Sequence, residues 1–416
     1  MASGVYGLRL LRQPRVQRLA LGVFLGLALL YRAFQVAVWT GRIQWGYDFS
    51  AYWRTAVGLV TGGPIYSAGQ LAGSYSPQQQ FLYLYPPAFA GMLEPFAEVL
   101  PADPRLVNWL WFGLGLGILV LSVQLIAWIE SFGDDARYPL LRGRGVWWLV
   151  LAALALPPVV AELVLGNVHL YILGLLTLAW LGIRYGSGRE LIGGAAIGLA
   201  TLIKVFPGVL LVWLLVTRRY RAFGAAIVAV AVMTIATLPM TGVQAWLDYP
   251  TVLANLGPPV DTTDTLAPTV WLAPILGFGL ARLLVTAAGV GLAVWLGLAA
   301  RRRPTDLVTV AASFGAAVTA SVLIAPAVYQ HYLAILVLPM LLALVAGVRL
   351  RWLALAYLLM WGGEQPALGD LAWVVNKGLP TLGALIVLGA LGLAAMAPRS
   401  PGDDRGLAEV GLASGA

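Results

Sequence analysis

The chain has 416 residues, of which 60% are hydrophobic and 11% charged, with a net charge of +8. A soluble globular domain carries about 25% charged residues, so the composition excludes one and points to an all-α polytopic membrane protein. There are no Cys, which excludes disulfides, thiolate catalysis and Cys-ligated metal, and the two His leave little for a His-rich metal site.

The basic residues are nearly all Arg; only Lys204 and Lys377 are Lys. Most sit in short loops, so the basicity reads as topology and contact with anionic lipid rather than as nucleic-acid binding. Residues 1–18 carry Arg9, Arg12, Arg15 and Arg18 before an apolar run from Leu19 to Trp39. The run is long, holds Arg32 and lacks a small-residue cleavage site, so it is expected to be an uncleaved first span with its N-terminus in the cytoplasm.

Further spans are expected near 104–129, 146–161, 169–183, 191–204, 207–217, 222–240, 271–299, 307–325, 331–347, 352–364 and 379–397, twelve in all within a range of 10–13. Several are short for a core that takes about 20 helical residues to cross, and those around Lys204 and Pro207 read as broken or tilted. With this alternation, 19 of the 26 basic residues fall in loops on the N-terminal side. The positive-inside rule then places both termini in the cytoplasm of a cell (plasma) membrane protein. Residues 1–397 read as one membrane domain, and the polar, Gly-rich 398–416 as a disordered tail.

The segments expected outside include two long ones, 40–103 and 241–270. The first is expected to hold two short interfacial helices, one through Ala51–Val60 closing at Gly62-Gly63-Pro64, the other starting at Pro86-Pro87 and running to about Leu100. The second, with Asp248, Asp261, Asp264 and four Pro, is expected to be irregular apart from a short helix near Val243–Leu256. The GxxxG spacings Gly22/Gly26 and Gly194/Gly198 read as helix packing.

The same alternation gathers polar residues on the outer side. Asp48 follows the first span; Glu162, Asn167 and His169 surround one outer turn; Lys204 ends a span; Tyr329, Gln330 and His331 begin another; Glu364 and Gln365 end a third. Singly, each has a bland reading: a wetted loop carboxylate, a snorkelling Lys, a satisfied His, a turn Asn. Together they offer a carboxylate base and cations able to hold an anionic leaving group, the requirements of group transfer from an anionic lipid donor.

Four segments then resemble glycosyltransferase family 87, the polyprenol-phosphate-mannose-dependent mannosyltransferases. They are Asp48-Phe49-Ser50-Ala51-Tyr52-Trp53 with Gly63-Pro64-Ile65-Tyr66; Tyr83-Leu84-Tyr85-Pro86-Pro87-Ala88-Phe89; Gly166-Asn167-Val168-His169 with the run Gly198–Pro207 and Arg218-Arg219-Tyr220-Arg221; and Ala325-Pro326-Ala327-Val328-Tyr329-Gln330-His331-Tyr332. The third segment departs from the family's Gly-Gln-Val-Asn and the fourth from its Ser-Pro and Trp.

The resemblance implies a type C glycosyltransferase architecture and an inverting, metal-independent transfer of a hexose, mannose first, from a polyprenyl-phosphate sugar to a glycolipid or glycan acceptor at an extracytoplasmic site. It implies Asp48 as catalytic base and Lys204 and His331 as partners of the donor phosphate. Tyr52, Trp53, Tyr85, Asn167, His169 and Gln330 would line the substrate cavity. No Asp-x-Asp motif for a metal-bound nucleotide donor occurs, so no metal and no other cofactor is expected. Two alternatives stay open: a polyprenyl-phosphate-arabinose-dependent arabinofuranosyltransferase, and a polytopic lipid or solute transporter using Asp48 and Lys204 as a substrate pair.

Overall fold

A computed structural model describes residues 14–77, 81–130, 139–186, 188–259, 265–362 and 374–398. Glu364, Gln365, Asp261, Asp264 and the tail 399–416 lie outside the described residues. The described chain is helical, in the order Pro14–Trp39 (α1), Tyr47–Val60 (α2), Ala68–Ala72 (α3), Pro87–Ala97 (α4), Pro104–Glu130 (α5), Arg144–Ala155 (α6), Pro157–Leu165 (α7), His169–Tyr185 (α8) and Arg189–Ile203 (α9). There follow Val209–Val216 (α10), Tyr220–Asn255 (α11), Pro268–Leu276 (α12), Phe278–Arg302 (α13), Leu307–Leu323 (α14), Val337–Val345 (α15), Leu350–Leu359 (α16) and Leu379–Met396 (α17).

Each of the twelve expected spans falls at least in part on described helix, but only some of these helices are long enough to cross by themselves. Among the described residues five helices are long and apolar enough to cross a membrane, or six if α6 and α7 act as one bent span. The rest of the apolar set, such as α8, α14 and α16, are 10–17 residues long. Pro157-Pro158 explains the bend. The ring of Pro157 disfavours helical geometry at Leu156, the first helix ends there, and Pro at the first turn starts the next at 62°.

Burial separates an inner helix from outer ones. On α14 every residue from Val308 to Leu323 is buried, as expected of a helix enclosed by others. Ten of its 17 residues are Ala, Ser, Thr or Gly, small side chains that let neighbours approach. On α1, by contrast, Leu27, Leu30 and Phe34 are exposed, an apolar face suited to lipid rather than water. The Gly194/Gly198 pair packs α9 on α11: a Cβ on Gly194 would come 1.9 Å from the Ala222 carbonyl oxygen, and on Gly198 2.4 Å from that of Ala226.

Two outer segments differ from expectation. The helix after Asp48 starts four residues early, at Tyr47, so Asp48 lies in its first turn. The expected loop 241–270 begins as helix. The expected helix near Val243–Leu256 is present, but no loop separates it from the helix before: within α11, Gly242, with φ 69° and ψ 158°, breaks the helical path and divides it into two helices. The second of these is tied to the first outer segment: the Tyr75 hydroxyl donates to the Val252 carbonyl at 2.8 Å and the Asn255 amide to that of Gln70 at 2.9 Å.

Candidate active site

A cavity of about 530 Å³ opens where the ends of α2, α7, α9 and the turn before α15 meet. Asp48, Tyr85, Asn167, Lys204 and His331 line it, among apolar residues such as Leu84, Val205, Val209 and Ile324.

Local backbone chemistry brings Asp48 and Asn167 together. Gly166 ends α7 at φ 68° and Gly46 precedes α2 at φ 67°, left-handed conformations that glycine adopts without a Cβ penalty. The Gly46 N–H donates to the Val164 carbonyl at 2.8 Å. There is no room for a side chain: a Cβ on Gly166 would lie 2.3 Å from Asn108 Oδ1 and 2.7 Å from the Phe49 Cβ. The two helix ends therefore abut, and Asn167 Nδ2 reaches Asp48 Oδ2 at 2.8 Å.

The same amide nitrogen lies 3.1 Å from His331 Nε2, and His331 Nε2 lies 3.6 Å from Asp48 Oδ2. One NH₂ group can donate one proton to each neighbour, which makes His331 Nε2 an acceptor and puts its proton on Nδ1. Asn167 is itself held, its Oδ1 accepting from the Val168 N–H at 2.7 Å and its carbonyl from Trp111 Nε1 at 3.1 Å. The Asp48 side chain remains 24% exposed. Desolvation raises its pKa above the ordinary aspartate value, opposed by the Asn167 hydrogen bond and the Lys204 charge.

Lys204 faces the cavity from the opposite wall. It is the first residue past α9, with extended φ −151° and ψ 137°. Its Nζ lies 3.0 Å from His169 Nε2, 3.8 Å from the centre of the Tyr332 ring and 5.2 Å from that of Tyr85. Rings at this range attract an ammonium by their quadrupole. His169 in turn contacts Glu162, whose Oε2 is 2.8 Å from Nδ1.

Four residues expected in the cavity are not among those that line it. Tyr52 is buried, its hydroxyl 2.7 Å from that of Tyr85. Burial raises the pKa of both phenols, so both keep their protons near neutrality. Trp53 is buried with its Nε1 on the Pro101 carbonyl at 2.9 Å. His169 has no exposed side chain and backs Lys204. Gln330 Nε2 donates to the Gly362 carbonyl. Helical spacing explains Trp53, which at five residues past Asp48 is turned about 140° around α2; Tyr52, four residues on, shares the face of Asp48 but packs edge-on against Tyr85 and Phe89.

The structure also adds residues the sequence reading passed over. Arg282, on α13, lines the cavity with Thr286 and Tyr249. A charge inside an apolar run was the available signal. Tyr332 had none beyond adjacency to His331. Glu162, His169 and His331 each offer a ligand atom within 4.8 Å of the others, a spacing open to a metal ion. The Lys204 ammonium, however, already uses the Nε2 lone pair of His169 that such an ion would take.

The profile of Glycosyltransferase family 87 matches residues 83–326. An alpha-(1->3)-arabinofuranosyltransferase of Mycobacterium tuberculosis is 29% identical over 195 residues, 46% of this chain and 41% of that protein. A polyprenol-phosphate-mannose-dependent alpha-(1-2)-phosphatidylinositol mannoside mannosyltransferase of the same organism is 27% identical over 242 residues, 56% of this chain and 53% of that protein. The matched part thus spans about half the length of these curated relatives.

Proposed function

The chain belongs to glycosyltransferase family 87, and from that premise we propose that it is a membrane glycosyltransferase moving a sugar from a polyprenyl-phosphate donor to a lipid-linked or polysaccharide acceptor. The observation that carries this reading is the cavity in which the Asp48 carboxylate and the Lys204 ammonium face one largely apolar volume. Its apolar lining suits a lipid-borne substrate.

In this reading the acceptor hydroxyl attacks the anomeric carbon while its proton passes to Asp48. The bond from that carbon to the phosphate oxygen breaks through an oxocarbenium-like state. Polyprenyl phosphate leaves with the electron pair, and a single displacement inverts the anomeric centre. The departing phosphate is already anionic and needs no general acid. It gains charge as it leaves, and Lys204 stabilises that charge. Asn167 holds Asp48 in place through its 2.8 Å hydrogen bond. His331 Nδ1–H is the donor that this imidazole can offer the phosphate.

The donor sugar is proposed as mannose, in line with the mannosyltransferase relative. Arabinofuranose is the second reading, favoured by the arabinofuranosyltransferase relative. Membranes carrying the chain, incubated with radiolabelled polyprenyl-phosphate-mannose and separately with polyprenyl-phosphate-arabinofuranose and lipid extract, should label product from one of them. Labelling from neither, with uptake of an intact donor, would mark a transporter instead.

The Arg distribution supports a cavity on the extracytoplasmic face of a multi-pass plasma-membrane protein with both termini in the cytoplasm. A reporter fused after Ser67 should then read outside and one after Arg303 inside; the reverse pair would overturn this sidedness.

A further inference from the structure

Glu162 and His169 form a buried pair behind the cavity wall. Their side chains are 1% and 0% exposed. Buried charge is costly unless it is paired and hydrogen-bonded, and here each acceptor has a donor. Glu162 accepts from the backbone N–H of His169 and from its ring Nδ1 at 2.8 Å. The six residues between them turn at Gly166, so the end of α7 and the first turn of α8 face each other.

The tautomer follows from this contact. An ionised carboxylate only accepts hydrogen bonds, so the proton of a neutral His169 sits on Nδ1. The lone pair is then on Nε2, where Lys204 Nζ stands at 3.0 Å. With Glu162 ionised and Lys204 protonated, an ammonium donating and never accepting, the hydrogen bonds run from Lys204 to His169 to Glu162. One ammonium proton goes to His169, and the Tyr332 ring face lies 3.8 Å from the nitrogen on another side.

We propose that Glu162 and His169 are positioning residues that fix the Lys204 ammonium at the cavity wall, ready for the phosphate of a polyprenyl-phosphate ligand. This rests on the donor-phosphate reading above. A lysine has a flexible four-carbon stem and much rotamer entropy to lose. Left alone, it would swing toward the nearest water or lipid headgroup. The pair removes that freedom before the ligand arrives, which is how preorganisation raises affinity. Neither residue touches the ligand; each acts through Lys204.

The test is a thermodynamic cycle on binding of farnesyl phosphate, a short polyprenyl phosphate, to purified protein in detergent. Lys204→Met should weaken binding roughly ten- to hundredfold, the loss of a hydrogen bond to a charged group. His169→Leu should weaken it nearly as much, and the double variant no more than Lys204→Met alone, because non-additivity marks residues that act through each other. His169→Gln, whose side-chain oxygen can accept from Lys204, should recover most of the loss. Glu162→Gln should show a smaller loss, also absent when Lys204 is Met. Additive losses, or unchanged binding in folded His169→Leu or Glu162→Gln protein, would overturn the proposal.

A wild-type protein that fails to bind farnesyl phosphate would overturn the donor-phosphate reading and, with it, the ligand named here. The device itself has a separate readout. Nitrogen-15 histidine NMR of wild-type protein should show His169 protonated at Nδ1 alone, assigned by loss of that signal in His169→Gln. A His169 protonated at Nε2, or at both nitrogens, would overturn the direction of the relay.

Discussion

Two carboxylates stand near the same cavity in opposite circumstances. Asp48 keeps 24% of its side chain exposed, and its hydrogen bond comes from a neutral amide, Asn167. Glu162 is 1% exposed and shares both oxygens with His169. Asp48 thus retains lone pairs that face the cavity, as a base must. Glu162 has spent its own on a fixed partner and faces protein on every side. One functional group, in two environments, is fitted for two tasks: taking a proton and holding a cation still.

The largest effect expected is on Asp48. Asn keeps the shape and can still accept from Asn167, but it cannot take the acceptor's proton. Asp48→Asn should lower turnover by about 10²–10⁴-fold, the contribution of a positioned general base, with little change in donor KM. Asp48→Glu keeps the base and moves it by one methylene, so it should also be strongly impaired, since positioning counts on the ångström scale. Asp48→Asn enzyme with near-normal turnover on a defined donor would end the base assignment.

Glu162→Gln should give a smaller loss with the opposite kinetic split. If Glu162 acts only through Lys204, donor KM should rise by up to about tenfold, below the loss from removing the Lys204 charge itself, while kcat at saturating donor falls less. The comparison breaks if the two variants share one split. A fall in kcat alone for Glu162→Gln would mean that it takes part in the chemical step.

Much of this arrangement was legible in the chain. The apolar runs mark the helices because a backbone in lipid must satisfy its own hydrogen bonds. Asp48, Asn167, Lys204 and His331 were legible as polar residues at span ends. Facing was not. Asn167 and His169 are two residues apart, and only the αL turn at Gly166 decides that one points into the cavity and the other behind it. Span number was also out of reach. Short apolar helices such as α16 and long ones such as α13 share composition, and only the length of unbroken helix separates them. The helix after Gly242 was legible; that it follows the preceding helix with no loop between them was not, because it turns on the backbone angles of one glycine.

The smallest effect concerns acidity, and it sharpens the contrast from the Asp48 side. Desolvation by burial raises the Asp48 carboxyl above the ordinary value of 3.8, with the Asn167 hydrogen bond and the Lys204 charge opposing it. A base works only when deprotonated, so kcat/KM should fall as pH drops through this raised value. The acid limb should lie above the range of an exposed aspartate and should be absent from the residual activity of Asp48→Asn. The sign for stability runs the other way from a usual ion-paired Asp. A group whose pKa is higher in the folded than in the unfolded state binds its proton more tightly when folded, so its ionisation opposes folding at neutral pH. Asp48→Asn removes that opposition while keeping the hydrogen bond to Asn167. Its thermal midpoint in detergent at pH 7 should therefore equal or slightly exceed that of the wild type, with the difference vanishing as pH falls below the unfolded-state value. A midpoint clearly lower at pH 7 would show that the Asp48 charge stabilises the fold, as a structural carboxylate does, and would count against its role as a base.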